Sequence, residues 1–229
     1  MQNPLILHIE TSTDLCSVAL SRGVNCLTIR ENSEGRNHAA LLTVFIEDLL
    51  NDNQVSANQL DAIAVCAGPG SYTGLRIGLS AAKGLCYGSD IPLIAVSTLQ
   101  TMSMGFAAQN DIPASSLLCP MIDARRMEVY TALYDKNGNQ IEQVTAEIIT
   151  EQSFGAWLDT HKIYFFGNGA TKCRSTITHP NAVFSENFAH SSLYMIQPAL
   201  QAFNEKKFED VAYFEPHYLK DFIAGPKKI

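Results

Sequence analysis

The hydrophobic periods of this chain run through one order of elements twice. Leu5 to Ile9 is a nearly continuous apolar run, and Leu15 to Ser21 and Val24 to Arg30 follow it as strand candidates around an Arg22-Gly23 turn. From His38 the period changes: Leu41, Leu42, Phe45, Ile46, Leu49 and Leu50 recur at helical spacing. Ala62 to Ala67 predicts a buried strand, Ser71 to Tyr87 a helix and Leu93 to Val96 a strand. Ser97 or Thr98 then caps a helix to about Ala108. The second half predicts strands at Leu117 to Ile122, Met127 to Tyr134 and Gln140 to Ile149, with Asn137-Gly138 as a hairpin turn. A helix from Thr150 to Leu158, a strand at Ile163 to Phe166, a short helix from Asn168 to Thr178, a strand at Ala182 to Phe184 and a helix from Ser191 or Ser192 to Asn204 complete the order. The pattern is βββαβαβα in each half, without visible sequence identity between the halves. Such an order gives an α/β chain of two mixed sheets, each with helices on its faces. The expected division is residues 1–98 for lobe one, 99–204 for lobe two and 205–229 for a packing tail that contains Pro216 and Pro226.

Composition narrows the function classes. Of 229 residues, 46% are hydrophobic and 17% charged, which excludes disorder and fibres. No uncharged apolar run reaches the roughly 18–20 residues of a membrane span, and Met1 to Pro4 lacks the basic start of a signal peptide. The chain reads as cytoplasmic. Sixteen Lys+Arg against 23 Asp+Glu give a net charge of −7, so independent binding of nucleic acid is not expected. The six cysteines form no C-x-x-C pair and sit among apolar neighbours, as structural thiols do. The six histidines include no pair three to five residues apart, so no local metal clamp is expected.

Two carboxylates occupy matching places in the repeat. Glu10 ends the first strand of lobe one, before Thr11, Ser12 and Thr13; Asp123 ends the first strand of lobe two. Ligands collect at the carboxyl ends of such strands, so this pair with Ser12, Thr13, Gly167 and Gly169 is the candidate nucleotide or Mg²⁺ site. The plain alternatives are turn caps for the acids and an ordinary turn for Gly167-Asn168-Gly169. Ala124-Arg125-Arg126 places large side chains where a phosphate cradle needs glycine, which weakens the site. A kinase-like enzyme using Glu10 and Asp123 remains the alternative reading; a peptidase finds neither a Ser/His/Asp spacing nor a metal clamp to support it.

The stretch from Gly68 to Leu79 follows a buried strand and opens a helix, yet it is neither G-x-x-x-x-G-K-[ST] nor G-x-G-x-x-G. Within that helix Gly74 and Gly78 together cost about 2 kcal/mol relative to Ala. With Ala82 they leave a bare face, flanked by Leu75, Leu79 and Leu85, against which something packs closely: this lobe's own sheet or another chain's helix. Arg76, Ser80 and Lys83 point elsewhere. The broad apolar arc from Leu41 to Leu50 adds to the expectation of an interface between chains.

On these residues the chain resembles the bacterial TsaB (YeaZ) family. The resemblance rests on Ile9-Glu10-Thr11-Ser12-Thr13 with Val18-Ala19-Leu20, on Gly68 to Leu79, on Ile122 to Tyr130, and on Glu215-Pro216-x-Tyr218-Leu219. It implies the actin, sugar kinase and Hsp70 (ASKHA) fold. It also implies a non-catalytic subunit in the formation of threonylcarbamoyladenosine on tRNA, partnered by the catalytic TsaD and by the P-loop ATPase TsaE. No cofactor of its own is implied; ATP or ADP belongs at the interface of the complex, and tRNA is held through the complex. The catalytic relative has a metal-binding histidine pair where this chain has only His38. The family's dimerisation surface falls here on His38, Leu41, Leu42, Phe45, Ile46 and Leu49 of one helix, and on Gly74, Leu75, Gly78, Leu79, Ala82 and Lys83 of the next. The same surface implies a homodimer in isolation.

Overall fold

The computed structural model describes residues 3–33 and 37–220. The first sheet is built from β1 (Leu5–Glu10), β2 (Cys16–Arg22), β3 (Asn25–Asn32), β4 (Ala62–Cys66) and β5 (Leu93–Val96) in the order β3-β2-β1-β4-β5. The second contains β6 (Leu117–Asp123), β7 (Glu128–Thr131), β8 (Thr145–Ile148), β9 (Ile163–Phe166) and β10 (Ala182–Phe184) in the equivalent order β8-β7-β6-β9-β10. In each, the first three strands form an antiparallel meander and the last two join in parallel. The helices are α1 (His38–Asp52), α2 (Tyr72–Ser89), α3 (Thr98–Gln109), α4 (Gly155–Leu158), α5 (Ala170–Cys173) and α6 (Ile196–Asn204). This is the two-lobed ASKHA architecture expected from the repeated order.

Every residue of β1 is buried, because helices cover both faces of its sheet. Leu5, Leu7 and Ile9 join the core under α1 and α2, while Ile6 faces Met195 and Ala199 at the start of and within α6. The lobes exchange their last helices: α6 lies on the first sheet, and α3 packs Leu99, Met102 and Phe106 on Leu118 and Ile122 of the second. Phe106 stacks on Phe166 with ring centroids 4.1 Å apart.

Several second-half elements are shorter than expected. Phe154 adopts a left-handed conformation (φ 63), so the helix expected from Thr150 forms only at α4. The helix expected over Asn168 to Thr178 is reduced to α5. Tyr134 leaves the meander and bridges Leu118 and Gln140, which divides the expected Met127 to Tyr134 and Gln140 to Ile149 strands. Ser191 does open the last helical segment, its Oγ accepting from the Leu193 amide, but the first turn is a 3-10 helix.

The tail to residue 220 packs on lobe one. Val211 and Phe214 join its core, the Glu209 amide donates to the Leu93 carbonyl, and the His217 amide donates to the Ala67 carbonyl below the glycine loop. Residues 221–229 of the expected tail, with Pro226, lie outside the described residues. Among the described residues no helix is long and apolar enough to cross a membrane.

Candidate functional site: a filled cleft and an open helical groove

Glu10 is fully buried at the end of β1, and its carboxylate is surrounded by this chain's own donors. Oε1 accepts the Ser12 amide at 2.6 Å and the Ser12 hydroxyl at 2.5 Å; Oε2 lies 2.7 Å from His190 Nε2. Burial pushes this carboxyl's pKa up, but attraction to His190 and the bonds from Ser12 outweigh it and hold it below the usual value. His190 leads a short polar zipper that fastens the approach to α6 onto the first sheet. Ser191 Oγ donates to Glu31 Oε1 at 2.6 Å, and the Ser192 amide donates to Ser17 Oγ at 3.0 Å.

The loop after β1 is closed from the other side by the glycine stretch. The Ser71 amide donates to the Ser12 carbonyl at 2.7 Å, and a Cβ on Gly70 would lie 2.5 Å from that same oxygen. Thr13 Oγ1 stays local and accepts from the Leu15 amide.

Asp123 has a separate set of partners. It forms an ion pair with Lys172 and accepts the Arg125 amide at 2.8 Å. Burial raises its pKa, while the Lys172 and Arg125 contacts together outweigh this and lower it. Arg125 (φ 73) and Arg126 (φ 50) both occupy the left-handed region, a strain of about 1–2 kcal/mol for each. Gly167 and Gly169 are explained by packing: their Cβ atoms would meet Met121 O at 2.5 Å and the Ile122 carbonyl carbon at 2.9 Å. Glu10 is therefore the centre of a buried network and the exposed Asp123 that of a surface one, and the two glycines seat β9 and its following turn against β6.

The small-residue face of α2 requires a correction. A Cβ on Gly74 would lie 2.1 Å from Thr11 O, and one on Gly78 would lie 2.3 Å from Thr11 Oγ1. Thr11 Oγ1 donates to the Gly74 carbonyl at 2.8 Å, and Leu75, Leu79 and Ala82 are buried in the core. What packs on this face is the chain's own β1 and its exit loop, not another polypeptide. Lys83 is likewise engaged at home, donating to the Ala212 carbonyl of the tail at 3.1 Å. His38 turns inward to the Leu15 carbonyl at 3.3 Å, and Leu49 is buried. Leu41 and Phe45 are half-buried against the same core.

The open surface lies one helical row away. Between α1 and α2 runs a groove with two adjoining cavities of about 590 and 520 Å³ that share Thr43, Ser80 and Ala81. Leu42 and Ile46 line it from α1, and Ile77, Gly84 and Leu85 from α2. Tyr72 and Arg76 line one end, with the guanidinium 5.1 Å from the ring centroid and Tyr218 5.0 Å from Tyr72 on another side. Ser80 thus faces the groove rather than away from it. A Cβ added to Gly84 or Gly88 would meet no atom within 4 Å, so the fold itself does not require glycine at either position. Their spacing, Ser80-x-x-x-Gly84-x-x-x-Gly88, was the available signal for this row.

Other reactive groups are quiet. All six cysteines are free; burial pushes the thiols of Cys66 and Cys119 well up, away from thiolate chemistry. Among the described residues no three His, Cys, Asp or Glu side chains gather as metal ligands.

Two sheets of equivalent order, last helices exchanged and a carboxylate closing each first strand define a protein of the actin, sugar kinase and Hsp70 class. The family model for tRNA N6-adenosine threonylcarbamoyltransferase, TsaD, matches residues 31–225. The tRNA threonylcarbamoyladenosine biosynthesis protein TsaB of Escherichia coli K12 is 34% identical, over 97% of this chain and 97% of its own. That of Bacillus subtilis is 32% identical, over 98% and 97%. YeaZ from Pseudomonas aeruginosa superposes with a TM-score of 0.80 at 26% identity, covering 94% of this chain and all of that one. The activator of 2-hydroxyisocaproyl-CoA dehydratase from Clostridium difficile, at 11% identity and a TM-score of 0.50, shares the fold alone. The chain belongs to the TsaB (YeaZ) family of tRNA threonylcarbamoyladenosine biosynthesis proteins.

Proposed function

We propose that this chain is an accessory subunit without an active site of its own, which binds and activates a TsaD-like threonylcarbamoyltransferase. The observation that carries the reading is the filled state of Glu10. A carboxylate that is to hold a metal or a phosphate-bound cation needs free oxygens facing the cleft. Here both oxygens are bonded to Ser12 and His190 in the protein interior. After Asp123, where a phosphate cradle needs glycine, the chain has Arg125 and Arg126.

The groove between α1 and α2 is the docking surface of this reading. It is apolar along its floor, lined by small residues at Ser80, Ala81 and Gly84, and admits a helix at close range. The occupant is the corresponding helical face of the TsaD-like subunit, or of a second copy when the chain is alone. A TsaE-like P-loop ATPase joins the assembly, ATP or ADP lodges at an interface rather than in this chain, tRNA is held through the complex, and the setting is the cytoplasm.

Reconstitution tests this directly. Threonylcarbamoyladenosine formation is measured with the TsaD-like subunit, threonylcarbamoyl adenylate and tRNA, with and without this chain. The expected result is modification that depends on the chain, and no turnover of ATP or adenylate by the chain alone. Full activity in its absence, or turnover by it alone that Asp123→Asn abolishes, overturns the reading.

A further inference from the structure

The hairpin that joins β6 to β7 contains the one consecutive pair of non-glycine residues in the left-handed region among the described residues, Arg125 and Arg126. Strained backbone persists where its surroundings over-determine it, and here they do. The Arg125 amide donates to Asp123 Oδ1 at 2.8 Å, the Ala124 amide to Glu128 O at 3.1 Å, and the Glu128 amide to Arg125 O at 3.1 Å. Lys172 from α5 pairs with the Asp123 carboxylate and donates to the Glu128 carbonyl at 2.7 Å, bracing the loop from below. The Asp123 amide donates to Asn168 Oδ1 at 3.0 Å.

This scaffold presents two exposed guanidiniums: that of Arg125 is attracted to the Asp123 carboxylate, but neither makes a hydrogen bond or a close ion pair with the described residues. Lys172 and Lys220, the latter paired with Glu128, stand beside them. Four cations thus face two carboxylates, Asp123 and Glu128, on a chain whose net charge is −7.

We infer that the Arg125-Arg126 hairpin is a contact for the phosphodiester backbone of RNA, contributed by this chain to the tRNA bound by the proposed complex. The inference rests on the function proposed above. Guanidinium forks match phosphate oxygens in a bidentate geometry. A mononucleotide phosphate is instead cradled by free backbone amides, and the amides of Ala124, Arg125 and Glu128 are engaged inside the hairpin. What the loop offers is side-chain charge directed outward, which suits an extended polyanion. Phosphate contacts position a nucleic acid without reading its sequence.

The test titrates tRNA onto the complex of this chain with its TsaD-like partner at several salt concentrations. The variant R125G/R126G accepts the same backbone without strain, so it preserves the fold; R125K/R126K preserves charge but not the fork. R125G/R126G is expected to weaken tRNA binding about tenfold and to flatten the slope of log K against log salt by about 1.5, the share of two phosphate contacts. R125K/R126K recovers most of that slope and part of the affinity. Unchanged affinity and slope in R125G/R126G overturn the inference, as does loss of a fluorescent ATP analogue instead of tRNA. Sedimentation of the same samples reports assembly separately. Subunits that do not associate overturn the function proposed above, whereas an assembled complex whose tRNA affinity and salt slope are unchanged in R125G/R126G overturns this inference alone.

Discussion

His190 Nε2 lies 2.7 Å from Glu10 Oε2, although the two residues stand 180 positions apart. One belongs to the segment leading into α6 and the other to the end of β1, so the contact fastens that segment onto the first sheet. Removing one member of a buried pair strands the other, at a cost of about 3–5 kcal/mol. His190→Ala is expected to lower the unfolding free energy by that order in urea denaturation at pH 7.

The same pair fixes a pH dependence. The folded Glu10 carboxyl titrates below its ordinary value of 4.5, so between the two values the unfolded chain binds more protons than the folded one. Its contribution to stability is therefore complete above about pH 4.5 and is lost as pH falls through the folded pKa. In His190→Ala the depression is removed, and the acid unfolding midpoint is expected to move to higher pH.

The glycines of α2 separate into two kinds. Gly74→Ala drives a methyl into the Thr11 carbonyl and Gly78→Ala into the Thr11 hydroxyl; each is expected to cost about 1–3 kcal/mol as overpacking. Gly84→Ala and Gly88→Ala meet open space and are expected to stabilise the isolated chain by up to about 1 kcal/mol each through helix propensity. Chemical denaturation of the four single variants checks both signs.

Arg126→Gly relieves a left-handed strain of about 1–2 kcal/mol but adds about 0.5–1 kcal/mol of unfolded-state freedom. A net gain of about 0.5–1 kcal/mol is expected, read as a rise in the thermal midpoint. A loss of stability would mean that the side chain is held by contacts that outweigh the strain.

Much of the architecture was legible because periodicity reports burial. β1 is apolar at nearly every position since both its faces are covered, and α1 shows its buried row at 3.6-residue spacing. The failures are local or long-range. Phe154 breaks the helix expected after Thr150 by a backbone conformation that its identity does not announce. His190 was uninformative in sequence because its partner, Glu10, stands 180 positions away along the chain. Gly74 and Gly78 pointed rightly to close packing, yet spacing alone does not say whether a helix face meets its own sheet or another chain. The row that remains open, Ser80, Ala81 and Gly84, lies on the neighbouring flank of the same helix.

That flank is the proposed seat of the helical face of a TsaD-like subunit. Ser80→Trp fills the groove from an exposed position without touching the core, so the circular dichroism spectrum of the isolated chain is expected to be unchanged while its self-association is lost. Calorimetric titration of this variant with the TsaD-like subunit decides whether the groove is the docking surface. Binding weakened by about 100-fold, a loss of about 2.7 kcal/mol, is the expected result; undiminished affinity for Ser80→Trp would contradict it.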